Sequence, residues 1–161
     1  DNEDVKIVVS PNLKHIKSKA FLTSNIQVVI AKNLEIIEEG AFNSCYFLTC
    51  ITLQKVKYIG KYCFMQCYRL TDIKNTQCKN LGNSAFEGCS KLLNPEFLAL
   101  ESINESAFRE TIITSFRTPK VLQNLADSYI SQFSFEPQNQ YQNYSLKQLL
   151  NLLSQQCLIE T

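Results

Sequence analysis

The chain has 161 residues, 45% of them hydrophobic, and a formal net charge of +1, which is enough apolar material for the sizeable core of one domain. Its 16 basic residues are scattered rather than gathered into a track, so nucleic acid is not expected as a partner. No stretch approaches the run of about 18 apolar residues that a membrane span needs; the longest candidate is Val28-Val29-Ile30-Ala31, and no basic segment leads into an apolar one as in a signal peptide.

From the N-terminus to about position 130 an aromatic residue returns every 21 or 22 positions: Phe21, Phe42, Phe64, Phe86 and Phe108. Ala20, Ala41, Ala85 and Ala107 precede four of them and Cys63 precedes the other, so each copy reads small-Phe. A fixed period of about 20–29 residues predicts a solenoid, each copy forming one coil that buries its apolar side against its neighbours. Eight residues before each Phe stand Leu13, Leu34, Val56, Cys78 and Leu100; five before stand Ile16, Ile37, Ile59, Leu81 and Ile103. Both rows are expected to face inward. Three residues after the Phe come Ser24, Cys45, Cys67, Cys89 and Thr111, and six after it come Leu48, Leu70 and Leu92, with Ile26 taking that place in the shorter first copy. A weaker sixth copy keeps the offsets through Leu122, Leu125 and Ile130. Thr118-Pro119 competes with it, because proline suits the first helical position and would start a short helix through Tyr129.

The stretch Ile59-Gly60-Lys61-Tyr62-Cys63-Phe64-Met65-Gln66-Cys67-Tyr68-Arg69-Leu70-Thr71-Asp72-Ile73 resembles the BspA-type leucine-rich repeat, and the likeness runs over roughly residues 5 to 130. It implies a leucine-rich repeat solenoid of β-rich coils of about 22 residues with short turns. Two departures stand out: Leu53-Gln54 and Asn75-Thr76 replace the Ile-Pro usual after the strand, and Pro95 occupies the position of Ile51 and Ile73. Lacking an N–H, Pro95 is expected to interrupt strand pairing locally.

Beyond the coils of 1–130, a polar connection, 131–144, passes through Gln138-Asn139-Gln140-Tyr141-Gln142-Asn143-Tyr144. A C-terminal α-helical cap over 145–161 follows: Ser145 and Gln148 form a capping box, and Leu146, Leu149, Leu150, Leu153 and Cys157 recur on one face. That face either covers the last coil or is presented to a partner. The start at Asp1 without methionine suggests a processed or excised product, which leaves a removed signal or anchor open.

Of the seven cysteines, Cys45, Cys67 and Cys89 share one rung, while Cys63 and Cys78 replace an alanine and a core aliphatic, so buried thiols packing as small apolar groups are expected. Neighbouring rungs about 4.8 Å apart would permit a bridge, although three rungs cannot all pair. No metal is expected, since Cys-x-x-Cys is absent and the single histidine, His15, stands in the first coil. No cofactor and no enzymatic activity are expected either. His15 alternates outward, and Gly40, Gly60, Gly82 and Gly88 fall at repeat turns without forming a phosphate loop or dinucleotide fingerprint. Glu35, Glu38 and Glu39 hold the outward slots that Lys57, Gly60 and Lys61 hold one coil later, as on a solvated face.

A protein partner would meet the residues that alternate with the inward set along the strand face. These are Ile30, Thr52, Lys74 and Glu96 in one column and Thr49, Thr71 and Leu93 in a second, with Cys50, Asp72 and Asn94 beside them. No long insertion supplies a lid. The expected role is a non-enzymatic protein-protein interaction module. The resemblance implies adhesion or recognition at a cell surface or in secretion, and the triplets Asn104-Glu105-Ser106 and Asn143-Tyr144-Ser145 are compatible glycosylation sequons. The alternative is a cytoplasmic structural or scaffolding subunit, which the number of unbridged thiols would suit.

Overall fold

The computed structural model describes residues 6–131 and shows a β-rich chain of short parallel strands with little helix. Each copy supplies up to two strands. β1 (Ile7–Val9), β3 (Val28–Ile30) and β5 (Cys50–Ile51) form one parallel sheet; β2 (His15–Ile16), β4 (Ile36–Ile37) and β6 (Tyr58–Ile59) form another; β7 (Lys74–Asn75) and β8 (Glu96–Phe97) form a third. Partners sit one period apart, as in Val28↔Cys50, Ile36↔Tyr58 and Lys74↔Glu96. Single bridges, Ile59↔Leu81, Asn80↔Ser102 and Glu96↔Arg117, continue two of these rows through later copies. Parallel neighbours need a crossover, and here the rest of each repeat provides it.

The phenylalanine turns are also joined from copy to copy. The N–H of Phe21 donates to the Ala41 carbonyl at 2.8 Å, Phe42 to Cys63 at 2.8 Å, Phe64 to Ala85 at 2.7 Å and Phe86 to Ala107 at 2.8 Å. A small residue before each Phe lets the backbones approach this closely. The rings point inward and stack, with centroids 5.1–5.3 Å apart and planes within 9° of parallel, the offset arrangement that the ring quadrupole favours. Past Phe108 the stack ends on the edge of Phe116, whose ring lies 5.0 Å away and 74° inclined. Phe42, Phe64, Phe86 and Phe108 are fully buried, as are Leu48, Leu70, Leu92 and Ile26; Phe21 and Leu13 of the first copy are half-buried.

Left-handed residues bracket the turns. Lys19, Gly40, Tyr62 and Ser84 lie two before a Phe, and Thr23, Ser44, Gln66, Gly88 and Glu110 two after, all with φ between 52° and 72°. Gly82 serves a different need: a Cβ there would lie 2.4 Å from the Lys61 nitrogen, so two backbones pass where no side chain fits.

Pro95 does not interrupt pairing, contrary to expectation. Its neighbour donates from the Glu96 N–H to the Ile73 carbonyl at 2.9 Å, and its own carbonyl accepts from the Arg117 N–H at 3.0 Å. Donors in this row come from the alternate positions, Cys50 and Thr52 in the third copy, so an N–H at position 95 is not needed. The division falls one copy earlier, between β5 and β7, where buried Asn75 intervenes. Its Nδ2 donates to the Leu53 and Val56 carbonyls at 2.8 and 2.7 Å, and its Oδ1 accepts from the Gln77 and Cys78 N–H groups. All four hydrogen-bonding sites of the amide are satisfied, as a buried amide requires.

Of the two expectations for residues 118–130, the structure has the helix. A 3-10 turn, Lys120–Leu122, with Pro119 at its N-cap, runs into α1 (Gln123–Ser131), whose Ala126 is buried against the core together with half-buried Leu122 and Ile130. The rest of the expected polar connection, 132–144, and the helical cap expected over 145–161 lie outside the described residues.

Candidate interaction surface

The strand face brings the expected columns into line. Ile30 closes β3 opposite Val9, Thr52 follows β5 with its N–H on the Val29 carbonyl at 3.0 Å, and Lys74 pairs with Glu96, which bridges onward to Arg117. The outward row is thus Val9, Ile30, Thr52, Lys74, Glu96 and Arg117, two members longer than the alternation alone assigned and divided between Thr52 and Lys74, where β5 and β7 belong to separate sheets. Ile30, Thr52 and Glu96 are half-buried, Lys74 is exposed, and Glu96 holds the Arg117 guanidinium at 2.8 Å. Half-buried Thr49 turns its hydroxyl to the Gln27 carbonyl at 3.0 Å, Thr71 is half-buried, and Asp72 and Leu93 are exposed. Cys50 is half-buried in β5, and Asn94 accepts hydrogen bonds from the Thr114 and Ser115 hydroxyls. The face passes from apolar at Ile7, Val9, Val28 and Ile30 to charged at Lys74, Glu96 and Arg117.

On the other strand row, charges pair from rung to rung. Lys57 meets Glu35 at 2.7 Å and Lys79 meets Glu101 at 2.6 Å. His15 turns its Nε2 to Glu38 at 2.7 Å, with Lys17 at 3.7 Å. The Glu38 carboxyl is held below the usual range chiefly by the Ser18 N–H, and that of Glu35 by the hydrogen bond and charge of Lys57. These acids therefore stay ionised and solvated, poor material for proton transfer near neutral pH. Lys14, Asn33, Glu35, Lys55, Lys57 and Gln77 line a shallow open hollow there. Among the described residues no group of three or more His, Cys, Asp and Glu side chains is placed to hold a metal ion.

The cysteine rung has a role that its apolar reading missed. Cys45 donates its thiol to the Phe21 carbonyl at 2.8 Å, Cys67 to Phe42 at 3.2 Å, Cys89 to Phe64 at 3.1 Å, and Thr111 its hydroxyl to Phe86 at 2.7 Å. The rung is a ladder of X–H donors tying each turn to the copy before it. The signal was in the sequence: Ser24, Cys45, Cys67, Cys89 and Thr111 share a proton to give. None of Cys45, Cys63, Cys67, Cys78 and Cys89 is disulfide-bonded. Burial raises all five thiols, Cys78 to about 11 and Cys63, Cys67 and Cys89 further, so they remain protonated and unreactive.

A second missed feature lies at the corner between the turns and the strand face. Tyr46 and Tyr68 follow Cys45 and Cys67 directly, and their exposed rings stack at 5.3 Å with planes 8° apart. Next to them the Arg69 guanidinium lies 5.1 Å over the ring of exposed Phe47.

No curated protein and no solved structure gives a significant match. The BspA type leucine rich repeat region matches in six copies, over residues 14–136 and 74–161, nearly the whole chain. The period, the parallel rows and that match agree, and the chain belongs to the BspA-type leucine-rich repeat family, a repeat class associated with protein-protein interaction.

Proposed function

We propose that the chain is a non-enzymatic interaction module, a solenoid of coils spanning 1–130, that holds a partner protein against its strand face in adhesion or recognition at a cell surface or outside the cell. The observation carrying this reading is the outward row from Val9 to Arg117, mixed apolar, hydroxyl and charged groups carried on two parallel sheets. Ile30, Thr52, Lys74 and Glu96, with Thr49, Thr71 and Asp72 beside them, would make the contacts. Residues 131–144 would act as a connection and 145–161 as a helical cap on the open end of the stack, which repeat proteins need. Crosslinking in the native cells with surface biotinylation tests this. Surface-labelled protein should carry a partner that the double variant Thr52→Arg, Lys74→Glu loses at unchanged melting temperature. A partner retained by that variant refutes the strand face.

The scaffold reading is favoured by one observation, the five buried, unbridged thiols, which suit a reducing compartment. Under it, the protein escapes surface biotin and remains fully reduced in one stoichiometric complex.

A further inference from the structure

We propose that the corner formed by Tyr46, Phe47, Tyr68 and Arg69 is an anchoring site for an acidic, tyrosine-bearing segment of a partner polypeptide; this rests on the interaction reading and names the chemistry it takes. Tyr46 and Tyr68 stack in the open, each at 43% exposure, and Phe47, next to Tyr46 in sequence, is 38% exposed, in a chain whose phenylalanine rungs from Phe42 to Phe108 are fully buried. Such patches mark places where another surface lies.

The backbone from which the two tyrosines leave is held before any ligand arrives, and their rings stack on each other. Cys45 and Cys67, the residues before the two tyrosines, are pinned by their thiols to the turns behind, and the Tyr68 N–H donates to the Gln66 carbonyl at 2.9 Å. A held backbone and the two rotatable angles of a tyrosine limit the freedom lost on binding, which is what makes a tyrosine an effective anchor.

The stack stops after two members. One period on, the place of a third tyrosine is taken by Ser90, whose hydroxyl is 3.4 Å from the Tyr68 carbonyl. Only a small side chain therefore stands beyond the outer face of Tyr68, where a flat ring of a ligand can continue the stack. The neighbouring row is Phe47, Arg69 and Lys91. Lys57, Lys79 and Arg117 each meet an acid one rung away, whereas among the described residues neither Arg69 nor Lys91 does, although Asp72 and Glu87 stand in adjoining rows. Its central carbon 5.1 Å over the Phe47 ring and no acid beside it among the described residues, the Arg69 guanidinium is placed to take a carboxylate, the two-pronged contact for which arginine is suited. Aromatic rings with unpaired cations beside them complement a segment alternating ring and carboxylate, and tyrosine and arginine are the residue types that dominate interface energetics.

The test is an amide and side-chain NMR titration of the isotope-labelled full chain with acetyl-Glu-Tyr-Glu-Tyr-Glu-amide, its Gln-for-Glu counterpart, and maltohexaose as a ring-bearing carbohydrate. The acidic peptide should give saturable shifts at Tyr46, Tyr68 and Arg69. The Gln peptide should bind about tenfold more weakly, and Tyr68→Ser or Arg69→Gln, each with an unchanged melting temperature, should lower affinity about tenfold or more. Absence of saturable shifts, shifts confined to other rows, equal response to the Gln peptide, or saturation by the carbohydrate alone would overturn the proposal. Crosslinking of the triple variant Tyr46→Ser, Tyr68→Ser, Arg69→Gln in native cells separates the two claims. A partner captured equally well by this variant removes the corner and leaves the interaction reading. A wild-type chain that captures nothing removes the interaction reading, and the titration alone then decides the corner.

Discussion

Phe64 is the middle rung of the aromatic stack, and its truncation to alanine measures how much that stack holds. The ring is fully buried, 5.3 Å from Phe42 on one side and 5.1 Å from Phe86 on the other. Removing it forfeits about 1.5–3 kcal/mol of burial. Two ring contacts of about 0.5–1.5 kcal/mol each go with it. Both flanking rings are fixed by backbone bonds of their own turns, so the cavity cannot collapse, and the sum agrees with the roughly 3–5 kcal/mol typical of core Phe→Ala changes. Phe21 is the internal control. It is half-buried and stacked on one side only, so Phe21→Ala should cost about half as much. The chain has no tryptophan, so urea unfolding is followed by far-ultraviolet circular dichroism. A loss below about 1 kcal/mol for Phe64→Ala, or equal losses at both sites, would refute the claim that the stack is a principal source of stability.

Gly82→Ala should cost at least about 2–3 kcal/mol, because the new Cβ meets backbone atoms that cannot move aside. Gly88→Ala, at φ +72° with its nearest neighbours 3.6 Å away, should cost only the left-handed penalty of about 1–2 kcal/mol; urea midpoints rank the two. Cys89→Ser should be more stable than Cys89→Ala by about 0.5–1.5 kcal/mol, since the hydroxyl still donates to the Phe64 carbonyl. Thermal melts giving the opposite order would show that the rung is merely apolar packing. Stability should also fall as pH rises. Thiols of the unfolded chain ionise near the ordinary value of 9.0, whereas Cys67 and Cys89 are raised well above it, so above pH 9 the unfolded state loses protons that the folded state keeps. Their contribution is fully present below about pH 9 and declines above it, and the double variant Cys67→Ser, Cys89→Ser should show a flatter melting profile from pH 8 to 10.5 than the parent.

The inward rows were legible because the core constrains them five times over. A residue at one offset from Phe21 faces the same volume as its counterpart from Phe108, so size and polarity repeat and the period exposes them. What broke the pattern was legible as a departure but not in its consequence. Asn75 replaces an apolar residue in the row of Ala31, Leu53 and Phe97, and only the carbonyls of Leu53 and Val56 around it show how its amide is satisfied where the strand row divides. Pro95 drew the opposite error, because which N–H groups a parallel row uses depends on register and not on residue type. At 118–130 two patterns fitted, and Pro119 with the core contacts of Ala126 decided for helix.

Outward rows obey no such repetition, and that is why the strand columns could be placed while the aromatic corner was passed over. Water tolerates almost any side chain, so an exposed row keeps no common character unless something else selects it. Two tyrosines one period apart, each directly after a cysteine of the donor rung, break that indifference. The donor rung explains their geometry: a thiol bound to the turn behind fixes the backbone from which the next side chain leaves, so Tyr46 and Tyr68 emerge in parallel. The same hydrogen bonds that close the interior thus set the spacing and attitude of the exposed rings. On the strand face Lys74, paired in β7, and Asp72 expose their side chains, which in the proposed reading would adapt to a partner. In the proposed interface the aromatic corner would anchor and the polar strand face would supply complementarity, the division of labour that well-packed interfaces use.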